Sequence, residues 1–224
     1  MSARLLLFLI LIVLLVGGGY TAYAGNSLYQ SLDSGKQELV AAQTAIKVAG
    51  RSGDLAQLRS ADAQLKQAER NFMDAQGRAR DDPALRVAGG LPGMGPQLDA
   101  SAHLAAIGAD LSRAGQGAGQ VAIQVSALKQ QYAGRRLTAD DLQALLKQAE
   151  TISDTYKGSI RTIGEQLRAA HAERAQVTTT NLLPQLQHAY DAVDEALTDA
   201  DGAFLRYQDV RGALSDLLGI QLPT

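Results

Sequence analysis

His103, His171 and His188 are the only histidines in a chain that has no cysteine, so any metal or nucleophile chemistry has to start from them. None stands three residues after a Glu, and the paired Glu-x-x-His pattern that builds di-metal centres inside helical bundles is therefore absent. No zinc-type spacing brings a second ligand close in sequence either. Each histidine reads as a partly exposed residue on a helix face. Asp191, Asp194, Glu195, Asp199 and Asp201 concentrate acidic groups near the C-terminus. They lack the loop and glycine of a calcium site and read as a solvated helix face. No glycine-rich phosphate cradle follows a strand pattern, and no serine stands in a nucleophile elbow. The expectation is a non-enzyme with no catalytic, cofactor-binding or metal-binding residue and no cofactor.

Two glycine-rich stretches remain. Gly115, Gly117 and Gly119 fall inside a helical pattern, where each costs about 0.8 to 1 kcal/mol relative to Ala. One reading is a narrow waist: with Ala114 and Ala118 on the seam, a neighbouring helix or an elongated apolar ligand approaches the backbone closely. The other is a local kink or bulge. Close helix packing is accordingly assigned to Ala114, Gly115, Ala118 and Gly119. The second stretch, Ala88 to Pro96, is the strongest breaker in the sequence. It places apolar Leu91 and Met94 on a loop, where they either touch lipid or a partner or plug the end of their own bundle.

The elements that carry these residues are helices. The 224 residues are rich in Ala, Leu and Gln, only 4% aromatic and without Trp, and no period-two run reads as a strand. The formal net charge of -2, with no basic stripe interleaved with aromatics, excludes nucleic acid as an expected partner. Without disulfides the chain must hold itself together by packing.

From Leu5 to Ala24 the sequence is apolar and uncharged. At 1.5 Å per residue these roughly 20 residues span about 30 Å, the thickness of a hydrocarbon core. Arg4 flanks one side, and Tyr20 and Tyr23 stand at the position of an interfacial aromatic belt, which orients the N-terminus to the cytoplasm and the rest outside. A cleaved signal peptide ending at Ala22-Tyr23-Ala24 is the alternative. The helical pattern continuing beyond Ala24 favours a retained anchor over residues 1–24, in contact with the lipid bilayer through 5–24. Membrane or partner contact is thus assigned to Tyr20, Tyr23, Leu91 and Met94.

Residues 25–224 then form one extracytoplasmic bundle. Leu28, Leu32, Gly35, Leu39, Ala42, Ile46 and Ala49 keep a strict four-three spacing. The Gly50 to Gly53 segment ends this helix, and Asp54 caps a second whose seam is Leu58, Ala61, Leu65, Ala68, Phe72, Ala75 and Ala79. Asp81-Asp82-Pro83 restarts the chain as a short helical piece. A third long helix runs from Ala100 to Gly134, a fourth from Thr138 past Ala170, and a last one from Leu182 to Leu218. Short connections make consecutive helices antiparallel neighbours. The fold class is all-α: an N-terminal transmembrane helix continuing into an elongated antiparallel helical bundle. The Leu91 to Pro96 loop and the Thr178 to Asn181 turn should then lie near the bilayer, with Gly134 to Leu137 and the C-terminus at the far end.

The anchor, the segment Leu91-Pro92-Gly93-Met94-Gly95-Pro96-Gln97-Leu98 between helical stretches, Leu183-Pro184 and the terminal Leu217-Leu218-Gly219 together resemble the N-terminal helical part of a bacterial envelope family known as domain of unknown function four thousand and twelve. Family members continue into a mixed α/β region, whereas this sequence ends at Thr224. The resemblance implies an envelope location and a helical architecture, not an activity. The expected function is a single-pass scaffold or interaction subunit of a cell-envelope assembly, with a protein partner or self-association through helix faces. A ligand-sensing bundle and a pilin-like filament subunit are the alternatives.

Overall fold

The computed structural model describes the backbone over residues 3–52, 54–132 and 139–207. Side chains are described from Ala24 to Leu205, except at 47, 50, 51, 53, 125, 128, 129, 132–153 and 155. Among these residues the chain is all-helical: α1 (Ala3–Ser52), α2 (Leu55–Asp81), α3 (Pro83–Gly89), α4 (Met94–Tyr132), α5 (Ala139–Gln176) and α6 (Pro184–Tyr207).

Local chemistry sets the boundaries. The Asp54 carboxylate accepts from the amides of Ala56 and Gln57 at 2.9 and 3.2 Å and opens α2. Asp82, in extended backbone, ends α2 and caps α3 by accepting from Ala84 and Leu85. These side chains satisfy amides that have no intrahelical partner. The helix α4 begins at Met94, earlier than the expected Ala100. Gly93, at φ +83, makes the turn, and Pro96 falls in the first helical turn, where its missing N–H costs nothing. Met94 is therefore helical rather than on a loop, while Leu91 stays in the connection.

All the seam residues of α2 are buried as their spacing predicts. On α1, burial recurs every seventh residue at Leu28, Gly35, Ala42 and Ala49, the signature of a supercoiled seam. Cross-helix contacts fix the directions. Ser31 meets Asp74 and Ser27 meets Arg78, so α1 and α2 are antiparallel. Glu69 meets Arg113 while Phe72 meets Gly108, and His103 meets Glu173 while Gly117 faces Ile163, so α2, α4 and α5 alternate in turn. His171 meets Asp201 while Arg174 meets Asp194, which sends α6 back alongside α5. The helix α4 is central. From Ala100 to Ser112 it is buried on every face except at His103, and its small residues let α1, α2, α5 and α6 gather round it. Its buried hydroxyls, Ser101 and Ser112, donate to carbonyls one turn back at 2.8 and 2.7 Å.

Phe72 marks the closest packing. A Cβ built on Gly108 would lie 2.7 Å from three consecutive ring atoms, and one built on Gly35 would lie 2.9 to 3.0 Å from the same three. Near-equal distances to three ring atoms place each Cβ position over the ring face. Two separate backbones cannot occupy one such position, so the ring is held between α1 and α4, one glycine on each face.

Among the described residues no helix is long and apolar enough to cross a membrane. The side chains of 5–23, on which the expected anchor rests, lie outside them, as do those of Tyr20 and Tyr23. The connection at Gly134 to Leu137 and the terminal Leu217-Leu218-Gly219 also lie outside the described residues.

Candidate functional site

The structure brings several of the singled-out residues to one end of the bundle, the end at which α1 enters it. Here Ala24 and Leu28 of α1, Ala75 and Ala79 of α2, Leu85 of α3 and Ala102 and Ala105 of α4 share a core. Ala24, the last residue of the apolar run, is already packed inside the bundle.

Gln97 ties the two basal connections together. Its Nε2 donates to the Asn181 carbonyl at 2.7 Å, and its Oε1 accepts from the Leu183 amide at 3.0 Å. Asn181 adopts φ 63, a left-handed conformation that Asn tolerates better than most residues. The Leu91 connection and the Thr178 to Asn181 turn therefore form one basal surface. An open groove on it is lined by Gly25, Leu28, Tyr29, Met94, Leu98 and Leu183, among others. Leu91 is 60% and Met94 38% exposed, so neither plugs the bundle end. Tyr29, Val87 and Leu183 are exposed beside them. Tyr29 and Val87 were not singled out from sequence, and Leu183 was named only within the Leu183-Pro184 segment, not as a contact residue. The available signal was an apolar residue next to a helix cap: Leu183 precedes Pro184, and Val87 sits in the last turn of the short α3.

The glycine stretch of α4 divides differently from its expectation. Ala114 is buried, and a Cβ on Gly115 would meet Leu65 at 3.0 Å. Ala118, however, is exposed, and a Cβ on Gly119 would meet nothing within 4 Å. The close approach continues through Gly117, where an added Cβ would lie 3.3 Å from Ile163 of α5. The seam drifts because α4 packs against α2 with one face and α5 with another, so residues one turn apart serve different neighbours. The glycines with least room for a Cβ, Gly108 and Gly35 against Phe72 and Gly164 against Phe204, lie elsewhere.

The polar groups are structural pairs. His103 Nδ1 lies 2.6 Å from Glu173 Oε2, and His171 Nε2 lies 2.8 Å from Asp201 Oδ2. His188 is exposed. Arg174 hydrogen-bonds Asp194 and covers the Tyr190 ring at 5.5 Å; the Asp194 contact holds its guanidinium above the usual arginine value. Asp194 and Asp201 thus belong to the α5–α6 contact rather than to a bare solvated face, while Asp191, Glu195 and Asp199 remain at the surface or bonded within α6. Along α4, Arg113 donates from Nε to Glu69 at 2.7 Å and from Nη1 to Asp110 at 2.9 Å. Gln116 donates to the second Glu69 oxygen at 2.7 Å. Burial pushes the Asp110 carboxyl above the ordinary value against the opposing pull of Arg113. Among the described residues no cluster of three or more His, Cys, Asp or Glu side chains is arranged to hold a metal ion.

No family model, no curated protein and no solved structure matches the chain.

Proposed function

We propose that the protein is a single-pass membrane protein whose extracytoplasmic helical bundle serves as a spacer and docking subunit in a cell-envelope assembly. The observation that supports this best is α1 itself. One 50-residue helix carries the uncharged apolar run Leu5 to Ala24 directly into a seam packed against α2 and α4. A helix that is apolar for about 30 Å and then amphipathic suits a bilayer followed by a protein core. The N-terminus is then cytoplasmic, by the positive-inside rule applied to Arg4. The envelope resemblance of the Leu91 to Leu98 and Leu183-Pro184 segments favours the same location. The bundle offers long polar helix faces for a protein partner or a second copy. The close approaches at Gly115 and Gly117 are filled by Leu65 and Ile163 from the bundle itself, so nothing at the waist favours the ligand-sensing alternative.

The absence of cysteine makes the test direct. Single variants Ser2→Cys and Ser52→Cys, expressed in intact cells, are exposed to a membrane-impermeant maleimide. Labelling at position 52 from outside, with position 2 labelled only after permeabilisation, is the expected result. Release of the protein from membranes by alkaline carbonate counts against an anchor. Photo-crosslinkers at exposed positions such as Lys66 and Glu165 then report whether a protein partner lies along the helix faces.

A further inference from the structure

We infer that the base of the bundle is itself a lipid-docking surface: Val87, Leu91, Met94 and Leu183 insert at the headgroup–acyl boundary of the bilayer that α1 enters. The inference rests on the anchored reading and adds to it a second, non-spanning contact with the membrane.

The first observation is where the exposed apolar side chains fall. Single exposed apolar residues are ordinary, whereas a contiguous group marks an interaction surface. Val40, Val48, Met73 and Leu205 are exposed singly along the bundle. Val87, Leu91, Met94 and Leu183 instead gather at one end, Val87 with 77% of its surface open, and Tyr29 borders the groove above them. The Gln97 clasp onto Asn181 and Leu183 holds that end together as a single platform.

The second observation is the height of this platform. The Phe72 ring brings Gly35 of α1 level with Gly108 of α4, and the two helices run in the same direction. Counting back about 14 residues from Gly35 reaches Thr21, and the same count from Gly108 reaches Met94, each about 21 Å lower at 1.5 Å per residue. Met94 therefore lies level with the last turn of the apolar run that ends at Ala24, and Leu91, whose carbonyl accepts from the Met94 amide at 3.1 Å, lies beside it in the connection. A bilayer that accommodates that run places the boundary between its acyl chains and its headgroup layer, the latter roughly 5 to 8 Å deep on each side, at this height. The apolar side chains meet lipid because lipid is the medium at that level. A protein partner would have to displace it.

Leu, Met and Val side chains on a rigid platform suit the headgroup–acyl boundary, where an apolar body is buried while the flanking backbone stays hydrated. Exposed Arg80 and Arg86 stand beside the platform on the same face as Leu85 and Leu98, within reach of phosphate groups. Asp99 lines the same groove as the two arginines and offsets part of their charge, so the binding rests on apolar insertion rather than net charge.

The test uses the full chain in nanodiscs of phosphatidylcholine and phosphatidylglycerol, one copy per disc. Single variants Leu91→Cys, Val87→Cys, Met73→Cys and Ile10→Cys carry an environment-sensitive fluorophore, with and without lipids bearing a nitroxide near the headgroup or deep in the acyl chain. The labels at positions 91 and 87 should lose most of their emission to the shallow quencher, position 10 should lose it to the deep quencher, and position 73 should be unaffected. Quenching at position 10 with none at 91 and 87 overturns the inference and leaves the anchor standing. Quenching at 91 and 87 with none at 10 keeps the docking surface and overturns the span. Unquenched labels at all three overturn both. In liposomes, efficient disulfide pairing of two Leu91→Cys chains with an unquenched label would assign the surface to a second copy instead.

Discussion

Gly108 has no room for a side chain because the ring of Phe72 begins 2.7 Å from where its Cβ would be. The ring has little room to retreat, since the backbone of Gly35 backs its opposite face, so closely that a Cβ there would lie 2.9 Å from the ring. Three helices, α1, α2 and α4, are thus brought together at one aromatic side chain, and the glycines serve as the sockets for it.

Gly108→Ala should therefore destabilise the protein. The gain in helix propensity, about 1 kcal/mol, is outweighed by overpacking, which costs roughly 1 to 3 kcal/mol where the neighbour cannot move. Gly115→Ala is the instructive contrast and should cost less, because the atoms it meets are the terminal methyls of Leu65 at 3.0 and 3.2 Å, which have to give by only a few tenths of an ångström. Thermal unfolding of both variants checks this. A Gly108→Ala protein that melts at or above the parent temperature removes the ring-and-socket account.

Gly119→Ala should change stability in the opposite direction. Nothing lies within 4 Å of its Cβ position, so the alanine adds helix propensity, up to about 1 kcal/mol, without a clash. A higher urea midpoint at unchanged slope is the expected outcome. A lower midpoint would restore Gly119 to the close-packing role that its spacing suggests.

Asp110 should give the protein an unusual acid response. Burial raises its pKa, helped by the nearby Glu173 and Glu69 charges and opposed by Arg113. The folded chain then holds this proton more tightly than the unfolded chain, so ionised Asp110 costs stability at neutral pH. That cost fades as the pH falls through its raised pKa. Asp74 acts with the opposite sign. The Arg78 hydrogen bond, aided by Ser31, lowers its pKa, and the resulting stabilisation, present above the ordinary value, is lost as the pH falls through the folded one. Asp110→Asn keeps an acceptor for Arg113 and should be more stable than the parent at neutral pH, with the gap narrowing toward about pH 4. Denaturation midpoints measured across that range decide it, and a variant less stable at neutral pH refutes the assignment.

Gln97→Ala should loosen the base without unfolding the bundle. It removes both bonds of the clasp, to the Asn181 carbonyl and the Leu183 amide. Both are exposed to water, so the loss should be small, about 0.5 to 1.5 kcal/mol. Hydrogen exchange should accelerate at Leu183 while the amides of α2 stay protected. Unchanged exchange at Leu183 would mean that α6 packing alone holds the turn.

The helices, their order and most of their seams were legible in the sequence because they depend on local rules. Heptad spacing selects the buried faces of α1 and α2, Asp54 and Asp82 cap the helices that follow them, and short connections enforce the alternation of direction. The start of α4 was misplaced by one rule weighed against another: proline and glycine read as a breaker, yet Pro96 suits a first turn and only Gly90 to Gly93 leave the helix. What tertiary structure alone decided is which partner each face meets. Nothing local in Gly35, Gly108 or Phe72 shows that one ring fills two backbones some 73 positions apart. Nor does any local signal separate Gly117, whose Cβ position α5 approaches, from Gly119, whose Cβ position is open. Likewise Gln97 and Asn181 meet across 84 residues through a backbone carbonyl, an acceptor that every residue carries and no spacing reveals. Periodicity along one helix defines a face, and only the packing of the other helices assigns that face its neighbours.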